Sequence, residues 1–83
     1  MFKVFLEKKT GRQIEGLSEP LKTRIIWTLK ELEKGFSARL DIKKLKGTKN
    51  HYRIRVGDYR ILFAMEFEAI YVYDVSHRRN VYK

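Results

Sequence analysis

His51-Tyr52-Arg53-Ile54-Arg55-Val56-Gly57-Asp58-Tyr59-Arg60-Ile61-Leu62-Phe63-Ala64-Met65 decides the fold. Two runs of period-two alternation flank Gly57-Asp58, a two-residue loop whose leading glycine suits a type II′ hairpin turn. The short loop dictates register: Val56 faces Tyr59, Arg55 faces Arg60, Ile54 faces Ile61, Arg53 faces Leu62 and Tyr52 faces Phe63. One face then holds Tyr52, Ile54, Val56, Tyr59, Ile61, Phe63 and Met65, enough to pack on a helix. The other holds His51, Arg53, Arg55 and Arg60. Like charges directly opposite each other destabilise a sheet, and this hairpin carries no carboxylate on the face of Arg55 and Arg60. A fold does not require that arrangement. It suits phosphate, whose oxygens pair bidentately with planar guanidiniums.

Outward from this hairpin, a second one turns near Phe67-Glu68 into Ala69 to His77. Its simplest register puts Ile70 and Val72 in the core, and Tyr71, Tyr73, Val75 and His77 on the face of Arg60. Toward the N-terminus, Phe36 to Gly47 reads as irregular, with Leu40, Ile42 and Leu45 as anchors. Leu21, Ile25, Leu29 and Leu32 fall on one helical stripe, opened by Ser18 as N-cap with Glu19 and Pro20 in the first turn and closed at Gly35. Lys8 to Gly16 reads as a weak helix, hinged to the next across Gly16-Leu17-Ser18, and Phe2 to Leu6 as a strand. The order strand, helix, helix, strand, strand, strand predicts a single α+β domain over residues 1–83, a mainly antiparallel sheet with a helical hairpin packed on one face.

Composition narrows the function. The 83 residues hold 19 Lys and Arg against 10 Asp and Glu, a formal charge of +9. Nine cations oppose six acids through residue 42 and ten oppose four after it, so the halves carry +3 and +6. Such a surplus steers a domain toward polyanions, chiefly nucleic acid or an acidic protein. The absence of cysteine excludes disulfides, thiolate zinc and a cysteine nucleophile, and no metal or other cofactor is implied. No apolar run approaches a membrane span and the first residues lack a secretory signal, so a cytoplasmic protein is expected.

Lys44-Leu45-Lys46-Gly47, Tyr52 to Phe63 and His77-Arg78-Arg79-Asn80-Val81-Tyr82, in this order and spacing, make the chain similar to the RelE/ParE superfamily of bacterial and archaeal toxins, in its RelE branch. The resemblance runs over essentially the whole length. It implies the toxin of a type II toxin–antitoxin system: a metal-independent, ribosome-dependent endoribonuclease (mRNA interferase) that inhibits translation by cutting messenger RNA. Monomeric alone, the toxin would be held in higher-order complexes by an acidic antitoxin. By the same resemblance Arg60, Arg78 and Tyr82 are the catalytic candidates. Arg53, Arg55, Lys44, Lys46, Arg79 and His77 are those for binding RNA phosphate. Surrounding guanidiniums should lower the phenol pKa of Tyr82 from its reference value of about 10 and favour it as base. A histidine pair, His51 and His77, is the rival acid/base set. Two other functions stay open: a ParE-like gyrase inhibitor and a non-catalytic basic RNA-binding module.

Overall fold

In the computed structural model, which describes residues 1–81, the chain runs β1 (Lys3–Leu6), α1 (Lys8–Glu15), α2 (Leu21–Leu32), β2 (Asp41–Lys44), β3 (His51–Val56), β4 (Tyr59–Glu66), β5 (Ala69–His77) and α3 (Arg78–Val81). The strands form one sheet in the order β1-β5-β4-β3-β2. Only β1 and β5 pair in parallel. This is the expected α+β architecture with one strand more than the expected four.

The addition is β2. Asp41, Ile42, Lys43 and Lys44 pair antiparallel with Arg55, Ile54, Arg53 and Tyr52. With Ile42 as its sole apolar residue, β2 lacks the alternation that marks a strand, and as an edge strand it is fixed by its partner. It also brings Asp41 beside Arg55, so the arginine face is not free of acid once the sheet is assembled.

The β3–β4 register matches the expected pairs from Tyr52↔Phe63 to Val56↔Tyr59. Gly57 has φ 60° while Asp58 stays outside the positive-φ region, as a type II′ turn requires. Ile54, Val56, Ile61 and Phe63 are buried on the inner face and meet Ile25, Leu29 and Leu32 of α2 in one core. At the rim of that core, Phe36 packs edge-on against Tyr52 and Phe63 at 5.2 and 5.9 Å. Side-chain capping at α2 comes from Glu19 rather than Ser18: its Oε1 accepts from the Thr23 backbone N–H at 3.0 Å and hydroxyl at 2.6 Å. Those bonds hold the Glu19 carboxyl below its ordinary pKa.

The second hairpin departs from expectation. Glu66↔Ala69 through Phe63↔Val72 follow the simple register, and then a bulge between Leu62 and Phe63 leaves Tyr73 as an extra residue on β5. Beyond it Leu62 pairs with Asp74, Ile61 with Val75, Arg60 with Ser76 and Tyr59 with His77. One additional residue inverts the facing of all that follows. Val75 is therefore in the core, 2% exposed, and His77 lies on the inner face against the Tyr59 ring at 5.4 Å. The physical reason lies in Asp74. Uninterrupted alternation would have set its carboxylate opposite Ile61 in the core and left Val75 among arginines.

β1 ends at Leu6, opposite Val72, so the rest of β5 needs another partner. α1 supplies it. Thr10 donates its hydroxyl to the Val72 carbonyl at 3.1 Å, and Gln13 Oε1 accepts from the Val75 N–H at 2.8 Å. Gln13 Nε2 donates to Asp74 Oδ1 at 3.0 Å, the Ser76 hydroxyl donates to Oδ2 at 2.7 Å, and the Lys9 ammonium is 3.4 Å away. Burial works to raise the Asp74 carboxyl, but these donors outweigh it and hold the pKa below its usual value.

Candidate functional site

Strand alternation delivers Arg53, Arg55 and Arg60 to the sheet face turned away from α2, with Arg55 directly opposite Arg60. β2 adds Lys43 beside Arg53. The chain that leaves β2 closes the site: Lys43, Lys44, Leu45 and Lys46 line, with Arg53 and Arg60, a depression of about 380 Å³. Five of its six lining residues are cationic. Lys44, Lys46, Arg53 and Arg60, expected to serve one site, meet here. Lys43 was missed because its facing depends on a strand that the residue pattern does not announce.

Arg53 has only 14% of its side chain exposed, and Asp41 Oδ1 lies 3.9 Å from its Nη1. Among the described residues no hydrogen bond reaches that nitrogen. A guanidinium held in a partly desolvated position with one distant carboxylate has unspent hydrogen-bonding capacity and a positive charge that water screens weakly. Arg55 is exposed at the turn end of β3, and Arg60 is partly buried opposite it.

Arg78 and Arg79 open α3, both exposed. The Arg78 N–H donates to the Asp58 carbonyl at 2.8 Å, anchoring the start of α3 to the β3–β4 turn, two residues from the Arg55–Arg60 pair. Arg78 is thereby brought to the arginine end of the sheet. The Arg79 N–H points to His77 Nδ1 at 3.3 Å. His77 itself is on the inner face through the β5 bulge, away from the face of Arg60. Tyr82 lies outside the described residues.

On the arginine face, His51 Nδ1 lies 3.0 Å from the Tyr73 hydroxyl, a contact that sequence reasoning did not anticipate. Burial, reinforced by the Asp74 carboxylate, pushes the Tyr73 phenol above its ordinary value of 10.0. It stays protonated near neutrality and is unsuited to act as a base. The two histidines occupy opposite faces of the sheet and form no acid/base couple.

The depression can therefore bind a phosphodiester and neutralise charge that develops on it. Comparison with known proteins agrees with a toxin. Residues 7–82 match the family described as ParE toxin of the type II toxin–antitoxin system parDE. The chain is 35% identical to Toxin RelE3 of Methanocaldococcus jannaschii over 83 aligned residues, covering 96% of this chain and 94% of that protein. Its fold superposes on a RelB–RelE antitoxin–toxin complex from Methanococcus jannaschii with TM-score 0.81 and 32% identity, covering 94% of each chain. It superposes also on an archaeal RelE–RelB complex from Pyrococcus horikoshii OT3 with TM-score 0.79 and 23% identity, covering 96% of this chain and 98% of the other. Matched by the family over residues 7–82 and 35% identical to a RelE protein along nearly its whole length, the chain belongs to the RelE/ParE superfamily of type II toxin–antitoxin toxins, as a RelE-type member.

Proposed function

We propose that this toxin is an endoribonuclease that cuts messenger RNA on the ribosome, without a metal, and is restrained by an acidic antitoxin. The observation that carries the reading is the depression in which Lys43, Lys44, Lys46, Arg53 and Arg60 converge. In the proposed reaction the ribose 2′-oxygen attacks the adjacent phosphorus as its proton leaves to a base. The bond from phosphorus to the 5′-oxygen breaks, and that oxygen takes up a proton. The products are a 2′,3′-cyclic phosphate and a free 5′-hydroxyl.

Negative charge grows on the phosphorane oxygens, and Arg60 with Arg53 and Arg55 supplies the fixed positive charge that stabilises it. Arg78 serves the departing oxygen electrostatically, since a guanidinium with a pKa above about 12 is a poor proton donor. Tyr82 is the proposed base, a role resting on the sequence resemblance; Tyr73, held protonated, is unsuited to it. Lys44, Lys46 and Arg79 hold the flanking phosphates. Electrostatic stabilisers of this kind are typically worth about 10²- to 10³-fold in rate. Arg60→Ala should thus lower ribosome-stimulated cleavage by about that factor and abolish growth arrest; full retention of both would overturn the proposal. Detection of the cyclic phosphate end identifies the chemistry.

The antitoxin reading follows from the two complexes above and from the charge of +9. A groove of about 630 Å³ between β1, α1 and α2 includes Val4, Leu6, Ile26 and Leu29 in its lining, with Leu6 and Ile26 exposed, and suits the apolar face of an antitoxin helix. Ile26→Glu should weaken co-purification with the antitoxin while cleavage by free toxin persists. The match to the ParE family motivates one alternative, a gyrase inhibitor, and supercoiling assays with purified gyrase separate the two.

A further inference from the structure

A second concavity lies at the start of β2, where α2 passes the turn end of β3. About 330 Å³ in volume, it is lined by Arg24, Trp27, Arg39, Asp41 and Arg55, among others. Three arginines oppose one carboxylate there. Arg24 lies against the β3–β4 turn, its Nη1 3.7 Å from where a side chain on Gly57 would begin. Trp27, the protein's single tryptophan, is 43% exposed although it sits on a helix whose other face is the core. The Arg39 guanidinium stands over its ring, 5.3 Å from the centroid, with Glu31 Oε1 3.6 Å from Arg39 Nη1. None of this serves the core.

We infer that this cleft is a subsite for one unpaired RNA nucleotide, its base stacked on Trp27 and its phosphate taken by Arg24 and Arg39. The inference rests on the ribonuclease reading and extends the RNA path beyond the cut phosphate. Three observations favour RNA over an acidic peptide. A half-exposed indole under a planar guanidinium is a stacking platform, and every base presents a flat π face while carboxylate side chains do not. The Arg39 contact with the ring is of the weak, solvent-exposed cation–π kind, so a base can displace it and leave the guanidinium for phosphate. Finally, Arg55, which lines the cleft, pairs directly across the hairpin with Arg60, which lines the cationic depression.

The single tryptophan makes the test direct. Wild-type protein is titrated with a 2′-O-methyl RNA hexamer, which resists cleavage, while RNA anisotropy and Trp27 emission are read together. The expected result is saturable quenching that tracks the anisotropy. An abasic hexamer of equal charge should retain salt-dependent binding and lose the quenching. Trp27→Ala should weaken hexamer binding about 5- to 150-fold and Trp27→Phe by less, with unchanged thermal melting. RNA binding without a change in Trp27 emission overturns the subsite and leaves the ribonuclease reading standing. Equal quenching by polyglutamate overturns it in favour of a protein-binding surface. Absence of RNA binding also overturns it, while wild-type cleavage of ribosome-bound messenger decides the ribonuclease reading separately.

Discussion

The two hairpins share strand β4 and differ in how their registers are determined. Between β3 and β4 a two-residue turn led by Gly57 leaves one register in which Ile54, Val56, Ile61 and Phe63 face α2 and every arginine faces out. Between β4 and β5 the turn at Phe67-Glu68 is equally short, yet pairing slips by one residue at Tyr73. Local alternation governs the first hairpin because no charged residue falls at the inward-facing parity along it. In the second, Asp74 and Val75 break parity, and a bulge restores it at the cost of one unpaired residue. The site inherits the difference: Arg53, Arg55 and Arg60 stand where alternation sets them, while His77 is carried to the opposite face.

Phe63 is fully buried beside the slip, and its ring stacks on Tyr52 at 5.4 Å across the first hairpin. Phe63→Ala should cost both hairpins their common anchor, about 3–5 kcal/mol by chemical denaturation. Arg60→Ala sharpens the contrast between function and stability. The expected 10²- to 10³-fold loss of cleavage should come with unchanged or slightly raised melting temperature, because the Arg55–Arg60 opposition is removed.

Asp74→Ala tests the clamp that secures the shifted register. It strips Gln13, Ser76 and Lys9 of their acceptor and should cost about 1–3 kcal/mol at neutral pH. The pH dependence follows from the direction of the shift. A carboxyl lowered in the folded state stabilises above its ordinary value of 3.8, and that contribution is lost as pH falls through the lower folded value. Acid titration of stability should therefore be shallower in Asp74→Ala below about pH 4.

Turn chemistry provides the smaller tests. Gly57 at φ 60° occupies the left-handed region, and Gly57→Ala should destabilise by about 1 kcal/mol. Phe67 is held at φ 55° with 93% of its surface exposed, so Phe67→Asn should instead stabilise by about 0.5 kcal/mol. A loss of stability in Phe67→Asn would mean that the aromatic ring makes contacts outweighing its backbone strain.

Period-two alternation around Gly57 was sufficient to place the core and the three strand arginines, because turn length and side-chain parity are local properties of the chain. The helical stripe of α2 was legible for the same reason. Strand β2 was not: it has only one apolar residue of its own and its pairing derives from β3, so Lys43 and Asp41 acquire a face only when the sheet assembles. The bulge had a trace in the sequence, a carboxylate falling where alternation demands a core residue, but its resolution required knowing that α1 would sit at the edge of β5 with Gln13 ready to bond it. Likewise Trp27, off the apolar stripe of its helix, becomes part of a cleft with Arg24 and Arg39 only by the packing of α2 over the end of β3. Local periodicity determined which residues are inside and which are charged outside; contacts between distant segments decided which of the charged ones share a pocket.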